Sequence, residues 1–535
     1  MTTLLLGGRI HSPSHPDATA MAVRDGVVAW LGTDEVGRTL HPDARIVDLD
    51  GAFVAPAFVD AHVHTTATGL GLIGLDLRAA TSKRHCLDLV AAAVGAAGAD
   101  PVIWGHGWDE TGWPEPTAPT LAELDAVCGD RPVYLARIDA HSALASTGLR
   151  RRVADLAEAP GHHPVGPLTV AAHHRVRAAA RALLTADQRA VARAAALDAF
   201  AAHGIVAVHE CAGPEIGGRQ DWDELREHDH GVQVTGYWGE AVTDAEQARA
   251  LLAATGAAGL AGDLFVDGAL GSHTAWLHSP YADAPDCTGV AHLDLDAVTA
   301  HLMACTEAGI TAGFHVIGDA AVSTAVAALA RVVDRLGVPA VARCGHRLEH
   351  LEMVDAEQAG QLGSWGVVAS MQPNFDACWG GPDGMYARRL GARRAAGLNP
   401  FAALAAAGVP LAFGSDSPVT DLNPWSTVRA AAGHRTPGAA ISARAAFSAA
   451  TRGAWRAAGV RDGITGTLVA GAPACYAVWD VDDLIVAAPA DKVERWSTDP
   501  RSRVPALPAL EDEDVLPRCR QTVHRGAVLF GGCDD

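Results

Sequence analysis

Over the first 56 residues, apolar and polar positions alternate in short runs at 4–10, 21–23, 27–31 and 46–48. Alternation with a period of two predicts half-buried strands, and Asp25-Gly26 and Asp50-Gly51 supply turns between them. The same texture returns at 467–469, 477–481 and 521–529. In between, short apolar runs are each followed by an Ala-rich helical stretch, which predicts parallel β/α architecture. Eight central strands are expected, at 58–64, 205–210, 233–238, 264–267, 311–317, 344–350, 367–371 and 411–416. Eight is the number that closes a (β/α)8 TIM-like barrel. The long gap after the first strand predicts an insertion at about 66–200, with strands of its own at 101–108 and 132–139, lying over the barrel mouth. The expected organisation is a β-sandwich part at 1–56, a barrel at 57–462 that includes the insertion, and a second sandwich part at 463–535.

Residues i and i+2 of a strand share a face. His62 and His64 in Phe-Val-Asp-Ala-His-Val-His therefore project together at the C-terminal end of the first barrel strand, where barrel enzymes place their chemistry. Two imidazoles there form half of a site for zinc or a similar divalent metal. Thr311, Gly313 and His315 share a face on a later strand, and His346, Leu348 and His350 share one on the next. Asp416 ends the last strand in Gly-Ser-Asp-Ser-Pro, before a proline that stops pairing. Each residue alone is as readily structural, but together they converge on one mouth.

Composition narrows the function classes. The chain has 535 residues, and its 62 acidic against 41 basic residues give a net charge of −21. That sign disfavours nucleic acid and anionic membranes as partners. No apolar run is long enough to span a bilayer, and no secretory signal is expected at the N-terminus. Ten cysteines without Cys-x-x-Cys pairs fit reduced thiols in a cytoplasm. A homodimer is compatible with this composition.

The order His-x-His, His, His, Asp along a barrel flanked by strand-rich ends resembles the amidohydrolase superfamily. More narrowly, it resembles the amidohydrolase 3 branch of YtcJ-like proteins related to N-substituted formamide deformylase. The similar segments are 58–64, Gly-His-Gly-Trp-Asp-Glu at 105–110, Arg-Ile-Asp-Ala-His-Ser at 137–142, Asp-Gly-Ala-Leu-Gly-Ser-His-Thr-Ala at 267–275, 315–319, 347–350 and 413–419. The resemblance implies that both chain ends join in one β-sandwich. Members with two metals carry a bridging carboxylated lysine four residues before the Asp-Gly-Ala-Leu-Gly-Ser aspartate, and Asp263 stands there instead. Asp263 and Asp267 share a strand face, and an aspartate is too short to span two ions from that depth. The resemblance therefore implies one divalent metal, zinc by default, on His62, His64, His315 and Asp416, with His350 beside it for a second ion or the substrate. Glu210 is a candidate replacement carboxylate or an acceptor for a ligand imidazole. Phe375 stands where relatives often have histidine after Met-Gln-Pro, which affects substrate contacts.

The implied reaction is hydrolysis of a non-peptide C–N bond of an amide or formamide by metal-activated water. Asp416 would carry the water's proton to the leaving nitrogen, with His350 or His315 steadying the oxyanion. Trp104, Trp108 and Trp113 are candidates either for an aromatic substrate wall or for packing, with packing favoured for at least two of them and Trp108 assigned to the substrate pocket. Asp139 and His141 either orient substrate or cap a helix at Ser142. A deaminase of a heterocyclic base or amidine is the alternative enzyme. A non-catalytic scaffold is the alternative class, distinguished by metal content.

Overall fold

Eight parallel strands close into a barrel in the computed structural model, which describes residues 1–98, 101–485, 505–511 and 515–531. They are β1 (Phe58–Val63), β2 (Ile205–Ala212), β3 (Gln233–Trp238), β4 (Gly259–Leu260), β5 (Thr311–Val316), β6 (Arg347–His350), β7 (Val368–Met371) and β8 (Leu411–Phe413). Neighbours in sequence pair in parallel all the way round. A bridge from Val63 to Ser417, with His64 N donating to Ser417 O and Asp416 N to His62 O, closes the ring. This is a (β/α)8 barrel. Strands buried on both faces need no polar alternation, which is why their outward positions read as continuous apolar sequence. Val59, Val63, Val206, Val208, Phe314 and Val316 pack against helix residues such as Leu302, Val322, Leu329 and Leu362.

The fourth strand departs from expectation. Regular pairing is confined to Gly259–Leu260, and residues 264–267 contribute only a single bridge from Phe265 to His315. Gly262 causes the break. Its φ of +79° lies in the left-handed region, and a Cβ there would fall 3.2 Å from the Cys211 sulfur. The chain therefore turns inward at Gly262 and carries Asp263 with it. The start of the sixth strand also differs, because Val338–Cys344 is a helix and pairing begins only at Arg347.

Two sheets are built from the chain ends. One holds Val27–Gly32, Ala20–Arg24, Thr2–Leu6 and Arg45–Asp48, and the other Arg9–Ile10, Phe53–Pro56, Tyr476–Asp480, Arg518–His524 and Ala527–Phe530. Leu5, Met21, Val28, Val54, Tyr476, Val478 and Val523 share one apolar core between them. Residues 467–469 form no strand. Leu468 is buried in that core instead, and its carbonyl accepts from Ser12 Oγ.

The insertion forms a five-stranded sheet of Leu168–Thr169, Ser142–Ala145, Val133–Arg137, Ile103–Trp108 and Leu75–Asp76. Ser142 thus begins a strand rather than a helix, which removes the capping role considered for Asp139 and His141. Trp108 is also corrected: it is buried inside the insertion and donates Nε1–H to Leu135 O at 3.0 Å. Trp113 packs in the same core and donates to Ala80 O. Among the described residues, no helix is long and apolar enough to cross a membrane.

Candidate metal centre

At the mouth of the barrel, side chains from five strands meet. His62 points inward from the end of β1, and His64 follows it at the start of the helix Thr65–Ile73. His315 comes from β5 by simple alternation. His350 does not. Its alternation partner His346 faces outward, accepting from Ala312 N and meeting Thr306 Oγ1 of the surrounding helix layer. A φ of +67° at His350 swings the side chain back over the mouth, and Asp416 is turned the same way by a φ of +53°. Left-handed backbone at a residue other than glycine costs on the order of 1–3 kcal/mol and persists only where its surroundings hold it. Here Gln372 Oε1 accepts from His350 Nδ1 at 2.7 Å, and His62 O accepts from Asp416 N at 2.8 Å.

The inward turn at Gly262 brings Asp263 to the middle of this group. Its Oδ1 lies 3.5 Å from His62 Nε2, 3.5 Å from His315 Nδ1 and 3.7 Å from His350 Nε2. Its Oδ2 lies 3.1 Å from His64 Nε2. The strand depth assumed for Asp263 is therefore corrected: its backbone leaves the regular strand and sets the carboxylate among the four histidines. Asp416 Oδ1 is 3.4 Å from His62 Nε2 and 3.3 Å from His64 Nε2. His62 Nε2, His315 Nδ1, His350 Nε2, Asp263 Oδ1 and Asp416 Oδ1 are all buried without a hydrogen-bond partner. Each orphaned buried polar atom costs on the order of 1–3 kcal/mol. Five of them aimed at one another fit a divalent cation, since imidazole nitrogen and carboxylate oxygen are its usual ligands. The ligand atoms of His62, His64 and Asp416 lie within 4.8 Å of one another, as do those of His62, Asp263 and His350.

Comparisons with known proteins identify the family. A model of the amidohydrolase family matches residues 45–530. The chain belongs to the amidohydrolase family. It is 27% identical to Protein LONG AFTER FAR-RED 3 of Arabidopsis thaliana over 452 residues, covering 78% of this chain and 75% of that one. It is 26% identical to YtcJ of Bacillus subtilis (strain 168) over 445 residues, covering 77% and 79%. Among solved structures, an uncharacterized metal-dependent hydrolase from Pyrococcus furiosus superposes with a TM-score of 0.68 at 25% identity, covering 90% of this chain and 99% of that one.

In this amidohydrolase the donor atoms are held from behind. His62 Nδ1 meets Glu349 Oε2 at 2.9 Å. Arg347 donates to both oxygens of Glu349, and also to Ala61 O and Ser370 Oγ. Arg347 and Glu349 alternate inward on β6, fully buried inside the barrel. Burial opposes ionisation of Glu349, but the Arg347 charge and the His62 hydrogen bond hold its carboxyl far below the usual range. Neither residue was singled out from the sequence. The available signal was a charged pair within a short central strand, in the Arg-Leu-Glu-His segment.

Glu210 takes a different part from either expected. On β2, His209 and Cys211 face the barrel interior, so Glu210 faces away. Its Oε2 accepts from Thr65 N at 2.8 Å and Thr65 Oγ1 at 2.6 Å, fixing the turn after His64. Asp267 accepts from Ile317 N, Gly318 N and Trp276 N, which fixes the turn after His315. Burial pushes the Asp267 carboxyl up to about 7.

The electrostatics carry the same excess of negative charge. Burial disfavours a charged His64, yet Asp263 and Asp416 outweigh it and raise the imidazole to about 9. Burial likewise opposes charge on His62, and Asp263 and Asp416 are among the groups that outweigh it. Between the rim and the insertion lies a cavity of about 90 Å³. His64, Asp263, His315, His350 and Asp416 line one part of it, and Trp104, Asp139 and His141 line another. Of the three insertion tryptophans, the wall is Trp104. The His141 ring is 4.9 Å from that of His315, and burial together with His315 holds it neutral.

Proposed function

We propose that the protein hydrolyses a non-peptide C–N bond of a small amide or formamide, using one divalent metal, with zinc the first candidate. The observation that carries this reading is the convergence of five buried, unpartnered donor atoms at the C-terminal rim of a barrel. In this reading His62, His64 and Asp416 hold the ion, with Asp263 beside them and His315 and His350 across Asp263. A metal bound there supplies Lewis-acid activation of water and of the scissile carbonyl.

The protein's own residues do the rest. Burial opposes charge on Asp416, but His62 and His64 keep its carboxyl below the usual range, so it stays ionised. In this reading it takes the proton of the attacking water and delivers it to the leaving nitrogen. Glu349 and Gln372 fix the orientation of the His62 and His350 rings, leaving Nε2 of each directed at the site. Trp104, Asp139 and His141 of the insertion line the cavity beside the donor cluster.

Metal quantification on the purified protein, paired with a panel of N-formyl, N-acetyl and cyclic amides, tests the reading. One equivalent of metal and release of a carboxylate are expected. Ammonia release without carboxylate would instead indicate a deaminase. Two equivalents would make Asp263 a bridge, and absence of bound transition metal would leave a scaffold.

A further inference from the structure

The cavity over the donor cluster contains positive charge that the protein does not pair. Arg177 and Arg181 are four residues apart on the helix Val170–Leu183, so they project from one face, and both line the cavity with His64, Asp263 and Asp416. Among the described residues, neither guanidinium forms an ion pair. Asp221 and Glu215, the carboxylates that act on Arg181, are engaged elsewhere, and Glu210, which lines the same cavity, accepts from Thr65. Asp221 accepts from Arg193 and Thr66 Oγ1, and Glu215 Oε2 lies 3.2 Å from His174 Nδ1. Arg177 gives one Nη2–H to the Glu215 carbonyl, while its Nε is buried without a partner. Burial and the Arg177 charge push Arg181 down to about 10, which still leaves it charged at neutral pH.

Two like charges side by side in a half-buried cavity are costly unless a ligand supplies the counter-charge. The planar guanidinium fork matches a carboxylate in a bidentate geometry. Asp221 and Glu215 offset part of the field, so the surplus suits a monoanion. Leu70, Ile216 and Phe265 add apolar wall to the same small space.

We infer that Arg177 and Arg181 form a carboxylate-binding subsite, and that the amide cleaved at the rim belongs to a small N-acylated or N-formylated acid. The substrate claim rests on the hydrolase reading above, whereas the subsite does not.

The test is calorimetric titration with N-acetyl-leucine and with its uncharged amide, on the metal-loaded protein and after chelation. A charge-assisted bond lost without replacement corresponds to roughly tenfold or more in affinity. The acid is therefore expected to bind at least about tenfold tighter than the amide in both states. Persistence after chelation separates the arginines from the metal as the source of the preference. In Arg177→Met and Arg181→Met the preference should collapse to within about twofold. Arg175→Met, exposed on the same helix, should keep it.

Equal affinity for acid and amide, no binding of either, or a preference that survives in the double methionine variant overturns the subsite. If the methionine variants fail to fold, Arg181→Lys keeps the charge and removes the fork. A drop of about threefold or more in preference is then expected, and an unchanged preference overturns the proposal. Preference for the acid without cleavage of any amide would refute the hydrolase reading and leave the subsite standing.

Discussion

Two clusters of buried charge lie near the same cavity, and they are built on opposite principles. In the insertion, Arg137 is 2% exposed and donates to Asp139 at 2.8 Å, Glu110 at 3.0 Å and Asp109 at 2.8 Å. Asp139 also accepts from Ser272 Oγ, and Asp109 from Thr111. Arg389 links Glu110 of the insertion to Asp283 of a barrel loop. Every charge there has its partner within the fold. At the rim, by contrast, two carboxylates and four imidazoles point lone pairs at a shared region, and five of those atoms lack a hydrogen bond. A cluster that serves folding closes on itself. A cluster that serves a ligand stays open and relies on neighbouring groups to keep it so.

The contrast breaks first, and by the largest effect, at Asp416. Asp416→Asn keeps the shape but removes both the proton acceptor and a charged ligand, so metal binding should weaken and turnover per bound metal should fall by about 10²–10⁴-fold. Loss below about tenfold would move proton transfer to another group. At the closed cluster, Arg137→Met should leave turnover per folded molecule far less affected but strip three carboxylates of their shared counter-charge. Breaking a buried pair on one side costs about 3–5 kcal/mol. Hydrogen exchange in the insertion strands should show opening made easier by that amount, and exchange unchanged from wild type would refute the idea of a closed structural network.

The sequence made the open cluster easier to read than the closed one. His62 and His315 obey strand alternation, so pattern alone aimed them correctly. His350 and Asp416 reached the list of candidates because they end strands, yet their direction depends on left-handed backbone that no periodicity reveals. The position of Asp263 is hidden for a related reason: a strand drawn through 264–267 conceals the turn at Gly262. The barrel was legible because eight apolar runs alternate with helical stretches, whereas Arg347 and Glu349 were not. Charge inside a barrel violates the rule that predicted the strands, and only the packed structure shows what compensates it. Trp108 errs in the other direction, since nothing in a Gly-rich segment tells which of three tryptophans forms the pocket wall and which the core.

A smaller effect sharpens the rim side of the contrast. Gln372→Met conserves volume and removes the acceptor for His350 Nδ1. Loss of an orienting partner of this kind weakens metal binding by about 10–100-fold. Competition with a metal-chelating dye reads this directly. An unchanged affinity would mean that His350 serves the substrate and not the ion.

The smallest expected effect asks whether the Arg137 network is redundant. The Asp109 side chain is 25% exposed, and it shares Arg137 with Glu110 and Asp139. Asp109→Asn removes one charge of three, keeps a carbonyl oxygen for Thr111, and leaves Arg137 with two carboxylates. Because solvent screens the lost charge and two partners remain, the cost should be about 1 kcal/mol, well under that of Arg137→Met. The same exchange measurement on the strand Ile103–Trp108 compares the two variants on one scale. A cost for Asp109→Asn equal to that of Arg137→Met would mean that the three carboxylates are not interchangeable. The insertion cluster would then hold a charge balance as exacting as the rim's, and the distinction between a closed and an open cluster would rest on the unpartnered rim atoms alone.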